Sequence, residues 1–192
     1  MTKKRVPADD IVKAAEKLGL LDVLKRLVRQ GEKLDDIDIG KLRRAAREGG
    51  PPTRFDRDAL HDGMPVHGAG GDRTTYGRAV DADGAQYQTR SDFMRDDRAE
   101  IDAVNERLQE RLGVTYRSGN AHHAEQKFAA GMANDPHVTE ADLVINNPAG
   151  PCPGRLGCDD TLPVLLRPDQ TLRVHWRDAN GDWQMTPYQG VP

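Results

Sequence analysis

Apolar positions divide the chain into three stretches with different periods. Over residues 1–48, Ile11, Val12, Ala15 and Leu18 fall at helical spacing, and Leu20, Leu21, Val23, Leu24, Leu27 and Val28 continue as a broader apolar face. Pro7-Ala8-Asp9 offers a helix start, Gly31 a stop, and Ile37, Ile39, Leu42, Ala45 and Ala46 a third helix. Such a stripe can dock a partner or close on itself as a small bundle, and self-packing is the simpler expectation. Residues 49–73 show neither period. Gly49-Gly50-Pro51-Pro52, Gly63, Pro65, Gly68, Gly70 and Gly71 lie among polar residues, which reads as a linker or long surface loop. His61 and His67 fall in it and read as solvated.

From 74 to 192 the pattern alternates between strand and helix. Asp83-Gly84 marks a turn between Tyr76–Asp81 and Ala85–Thr89. Ile101, Val104, Leu108 and Leu112 predict a helix over 97–112, stopped by Gly113. A second helix is expected from His123 to Met132, then a short buried strand at Leu143-Val144-Ile145. A third should run from Gly157 to Leu166, with Asp159 and Asp160 in its first turn, where the dipole favours acids. Thr171–Trp176 reads as a strand, and Asn180-Gly181 turns into a last short strand around Trp183–Met185. Alternating strands and helices call for an α/β layer fold.

Composition narrows this picture only modestly. The chain is 36% hydrophobic and 31% charged, and no apolar run approaches the roughly 20 residues that span a bilayer. The basic start is followed by Ala8-Asp9-Asp10, so no signal-peptide apolar region is expected. Charge is uneven: residues 1–50 hold 13 Lys/Arg against 9 Asp/Glu, the remainder 15 against 22. An acidic C-terminal half lacks the broad positive field that grips nucleic acid, so any such substrate must be held over a short footprint.

The chemistry concentrates between Asn120 and Cys158. His123-Ala124-Glu125 precedes the buried strand, and Asn146-Asn147-Pro148-Ala149-Gly150-Pro151-Cys152 follows it, closing at Cys158; these are the chain's two cysteines. One imidazole and two thiolates are three ligands for tetrahedral zinc, with one position left open as catalytic sites require. A carboxylate two residues after the histidine is placed to carry protons. Adding water to an amidine-like carbon and expelling ammonia needs these parts, which points to hydrolytic deamination of a nucleobase. The order matches the zinc-deaminase pattern His-x-Glu…Pro-Cys-x-x-Cys, except that five residues rather than two separate the cysteines. Pro153, Gly154 and Gly157 make a compact turn there plausible. Two alternatives stay open at this point: a disulfide, and a structural zinc whose fourth ligand is His122 or His175.

These residues, with Asn120 to Lys127, Leu162-Pro163 and Leu172-Arg173-Val174, resemble the DddA-like bacterial toxin cytosine deaminases over roughly 74–178. The resemblance implies a three-layer α/β/α cytidine-deaminase fold with a mixed sheet of about five strands, preceded here by the helical segment. It implies conversion of cytosine to uracil in DNA, with single strands favoured given the acidic domain, by a toxin domain at 74–192 of a larger secreted effector. That effector would act in the target-cell cytoplasm and be countered by a cognate immunity protein. By motif position His123, Cys152 and Cys158 would hold Zn2+ and Glu125 would move the proton. Asn120, Ala124, Asn146, Asn147 and Pro151 would lie near the base, and Arg155 is placed to meet a phosphate. Trp176, Trp183, Tyr188 and Phe128 are stacking candidates, though core packing is the simpler expectation for each. A deaminase of RNA or free nucleosides, or a silent zinc-binding interaction module, would carry many of the same features.

Overall fold

In a computed structural model of the chain, the described residues are 8–17, 20–29, 33–37, 42, 55–91, 98–113 and 117–192. They form two compact units. One comprises the described residues up to Phe55 with Val80–Tyr87; the other comprises Asp56–Ala79 and Gln88–Pro192.

The first unit holds α1 (Ala8–Lys17), α2 (Leu21–Arg29), a 3-10 turn at Leu34–Asp36, and the tip of a β-hairpin. The helical stripe packs on itself. Ile11, Ala15, Leu20, Leu24, Leu27, Ile37 and Leu42 bury together with Ala85 of the tip, and Tyr87 packs partly against them. Val28, expected in that apolar face, is 42% exposed. Leu18 and Gly31, and the third helix expected around Ile37–Ala46 apart from buried Ile37 and Leu42, lie outside the described residues. Asp81 fixes the tip: its carboxylate accepts from the amides of Asp83 and Ala85, both at 2.9 Å, and from the Tyr87 hydroxyl at 2.7 Å. Gly84 supplies the left-handed residue of that turn, with φ at 80°.

A five-stranded sheet runs β2 (Gln86–Arg90), β1 (Tyr76–Asp81), β3 (Glu140–Ile145), β4 (Thr171–Arg177), β5 (Trp183–Gln189). β3 pairs parallel with β4, and β4 antiparallel with β5, so the sheet is mixed and the class α/β. Leu143, Val144 and Ile145 are all fully buried, which places β3 at the centre with both faces covered. Three helices pack on one another beside it: α4 (Arg98–Leu112), α5 (Ala124–Ala133) and α6 (Cys158–Leu165). Among the described residues no helix is long and apolar enough to cross a membrane.

Two strands exceed their sequence signal. β3 begins at Glu140 because Glu140 and Asp142 pair across to β4: Arg173 meets Glu140 at 2.5 Å and Asp142 at 3.5 Å, and His175 meets Asp142 at 2.8 Å. β5 continues past Met185 through Pro187, tolerated because β5 is an edge strand. The aperiodic stretch also holds structure. Arg57–His61 is a short helix, α3, started by the Asp56 side chain accepting from the Ala59 amide at 3.1 Å. Five residues are too few for a readable period.

Candidate functional site

The site is built on the first turn of α5. His123 is its N-cap residue, in extended conformation (φ −64°, ψ 139°), and its carbonyl accepts from the Lys127 amide at 3.0 Å. Successive helical residues point about 100° apart, so three consecutive polar side chains face three different surroundings. Glu125, Gln126 and Lys127 are 3%, 0% and 4% exposed, an unusual run for a helix start. The far end of the helix is pinned too. Gln170 donates to the carbonyls of Met132 (2.7 Å) and Val138 (2.6 Å), and Arg167 to those of Ala133 and Asp135, both at 3.0 Å.

The structure brings His123, Cys152 and Cys158 together. His123 Nδ1 lies 3.3 Å from Cys152 Sγ and 3.4 Å from Cys158 Sγ, and the two sulfurs are 3.6 Å apart. Zn–S bonds of about 2.3 Å and a Zn–N bond of about 2.05 Å at tetrahedral angles require edges of about 3.8 Å (S···S) and about 3.6 Å (S···N). The observed triangle is within about 0.3 Å of that shape, so these residues fit zinc. Both cysteines are unbridged, against an S–S bond of about 2.05 Å, which removes the disulfide alternative. Neither His122 nor His175 joins the metal-competent group among the described residues. His175 is engaged by Asp142, and the His122 ring stands edge-on to that of His123 with centroids 4.7 Å apart.

The five residues between the cysteines fold back as the compact turn their composition allows. Gly154 (φ 93°) and Leu156 (φ 62°) both adopt left-handed backbone. The Gly157 amide donates to the Gly154 carbonyl at 2.7 Å, and the Asp159 amide to the Cys152 carbonyl at 3.2 Å. At Gly157 an added Cβ would sit 2.6 Å from the carbonyl oxygens of Cys152 and Pro153, so no side chain fits. Left-handed backbone is costly for leucine, and two amides hold it there. Asn120 Nδ2 donates to the Leu156 carbonyl at 2.9 Å, and Gln126 Nε2 does so at 3.3 Å. Cys158 thereby becomes the first residue of α6, and its amide donates to Cys152 Sγ at 3.2 Å.

Charge in the site is polarised. The Cys152 thiol is brought down to about 4 by its hydrogen bond with Cys158 and then by His123 and the Cys158 amide, while burial opposes. The Cys158 thiol is pushed up, by holding the shared proton and by burial. His123 is raised by Cys152 against burial, whereas burial lowers His122. Glu125 is lifted to about 6 by burial, and its carboxyl interacts with His123, Cys152 and Cys158. The triad of donors and this carboxyl therefore form one electrostatic unit.

The remaining expected residues are placed as follows. Ala124 is fully buried and its carbonyl accepts from Thr89 Oγ1 at 3.1 Å. The Asn146 side chain accepts from the Tyr76 amide at 2.8 Å and donates to the Pro65 carbonyl at 2.7 Å. Asn147 makes an Asx turn, accepting from the Ala149 amide at 3.1 Å and donating to the Gly150 carbonyl at 3.2 Å. Pro151 is buried and Arg155 exposed. Phe128 and Tyr188 are core, the latter donating its hydroxyl to Asp159. The Trp176 ring lies so close to Gly150 that a Cβ there would come within 2.5 Å. The guanidinium groups of Arg57 and Arg177 each lie over the Trp183 ring, 5.1 Å and 5.0 Å from its centroid. Sequence reasoning missed Gln126, whose role depends on a loop 30 residues away. It also missed the basic cavity described below. No short-range signal marks either.

Comparison with known families agrees with this geometry. The SCP1.201-like deaminase family matches residues 47–190. The chain belongs to that family, and the His/Cys/Cys group is where a deaminase of this kind could hold its metal. No curated protein and no solved structure matched in the parallel searches.

Proposed function

We propose that the chain is a zinc-dependent hydrolytic deaminase that converts cytosine to uracil in DNA, favouring single strands. The observation that carries this is the near-tetrahedral triangle of His123 Nδ1, Cys152 Sγ and Cys158 Sγ beside buried Glu125. Zinc held by those three atoms supplies Lewis acidity that brings the pKa of a water to about 7. Glu125, buried beside the three donors, is placed to accept the proton of the attacking water and to deliver protons to the ring nitrogen and the departing ammonia. The balance is cytosine plus water giving uracil plus ammonia. Asn120 and Gln126 act indirectly, by fixing the loop that presents Cys158. A purely structural zinc has no use for a buried carboxyl beside its ligands, which weighs against a silent binding module.

The biological setting extends the same reading: the toxin domain of a secreted bacterial effector in the manner of the DddA-like proteins, acting in the target cytoplasm and neutralised by an immunity protein. The discriminating assay incubates the purified chain with single-stranded DNA, duplex DNA, RNA and cytidine and measures uracil. Uracil should form fastest in single-stranded DNA. Activity confined to RNA or cytidine would replace the DNA reading, and none on any of the four would remove the deaminase proposal.

A further inference from the structure

Lys127 follows Glu125 by two positions in α5. It lines a cavity of about 410 Å³ on the β1–β2 side, together with Tyr76, Arg78, Thr89, Arg90 and Glu100. That volume is within the range of small-ligand pockets, roughly 300–1,000 Å³. Among the described lining residues three cations, Arg78, Arg90 and Lys127, stand against one carboxylate, Glu100, in a part of the chain (residues 51–192) that carries 15 Lys/Arg against 22 Asp/Glu. Like charges that converge on one concavity repel, and an anion placed among them relieves that repulsion. The Arg78 guanidinium is oriented by neutral carbonyls, Asp62 at 2.8 Å, Leu60 at 3.3 Å and Gly63 at 3.4 Å, which leave its charge in place. The Lys127 side chain is 1% exposed, with Nζ 3.7 Å from Glu100. Tyr76 and Pro65 line the same cavity, and the Asn146 side chain binds the backbone of both.

The cavity is wired to the candidate catalytic turn. Thr89 donates to the carbonyl of Ala124, the residue before Glu125, and Lys127 follows Glu125 by two positions. We propose that this cavity is a phosphate-binding subsite, which receives a backbone phosphate next to the nucleotide being deaminated. Arg78, Arg90 and Lys127 would bind the anion, and Tyr76 would pack against the adjoining sugar or base. The inference deepens the deaminase reading and takes from it only that the substrate carries phosphates. It also answers the charge problem of an acidic domain, since the grip is local and concave.

The test measures, by fluorescence anisotropy over a salt series, the affinity of the zinc-loaded full chain for a labelled single-stranded oligodeoxynucleotide containing one cytosine. Arg90→Gln and Lys127→Met should each weaken binding and lower the slope of log affinity against log salt by about 0.7, the loss of one phosphate contact on a single strand. Arg90 is exposed, so its variant reports even if Lys127→Met fails to fold. Lys13→Gln on α1 is the control, expected to match the wild-type slope. Slopes for both cavity variants equal to wild type, or no oligonucleotide binding by the wild type, would overturn the proposal. Uracil formation in the same samples separates the two readings. Binding with the expected slopes but no uracil removes the deaminase and keeps the subsite; deamination indifferent to both variants removes the subsite alone.

Discussion

Glu125→Ala is expected to cut uracil formation sharply while the protein keeps its fold and its metal. The expected loss in kcat is about 10²- to 10⁴-fold, the usual contribution of a positioned general acid–base group. The fold survives because the carboxyl is 3% exposed and is lifted to about 6 chiefly by burial: its charged form is a burden on the native state, which a methyl side chain removes. The metal survives because Glu125 is not among the three donors that lie close together. Three readouts on one sample decide the matter: zinc content, melting temperature and uracil yield. Retained activity refutes the proton-carrying role. Lost zinc would instead make Glu125 part of the coordination and recast the site.

Cys158→Ala is expected to give a different pattern, with metal and activity lost together. With Cys158 gone, one imidazole and one thiolate remain, too few for a zinc site that keeps an open position. The effect on stability follows from linkage. A native-state ligand at 1,000 times its dissociation constant adds about 4 kcal/mol. For a chain of this size that corresponds to roughly 8–16 °C in melting temperature. Added zinc should therefore raise the melting temperature of the wild type by about that much and leave Cys158→Ala unchanged. Equal zinc protection in both proteins would show that Cys158 is not a donor.

How much of this was legible in the sequence depends on the range of the interactions concerned. The donor triplet was legible because cysteine is scarce here and a histidine and glutamate at the start of an apolar helix are chemically conspicuous. The compactness of the inter-cysteine turn was legible in outline from Gly154 and Gly157. What holds it was not: Asn120 and Gln126 reach the Leu156 carbonyl across 36 and 30 residues. The stripe of Ile11 to Leu27 announced a self-packing core, though its cluster extends to Ala85 of the hairpin tip. β3 looked three residues long because only Leu143–Ile145 is apolar. Its polar half exists as strand through Arg173 and His175 on the neighbouring β4. Asn146 and Asn147, read from resemblance as near the base, turn their amides to backbone groups at Tyr76, Pro65, Ala149 and Gly150. Asn146 thus shapes the cavity wall through Tyr76 and Pro65. The basic cavity itself was invisible, since Arg78, Arg90 and Lys127 come from three separate elements and look solvated one by one.

The central claim is that one imidazole nitrogen and two thiolate sulfurs share a single zinc ion. Zinc-edge X-ray absorption on the purified protein, with the metal quantified in the same sample, tests it most directly. The account predicts one zinc per chain, with about two sulfurs near 2.3 Å and nitrogen or oxygen near 2.0–2.1 Å completing four ligands. A protein purified under reducing conditions that takes up no zinc, or whose zinc shows no sulfur in its shell, would contradict it.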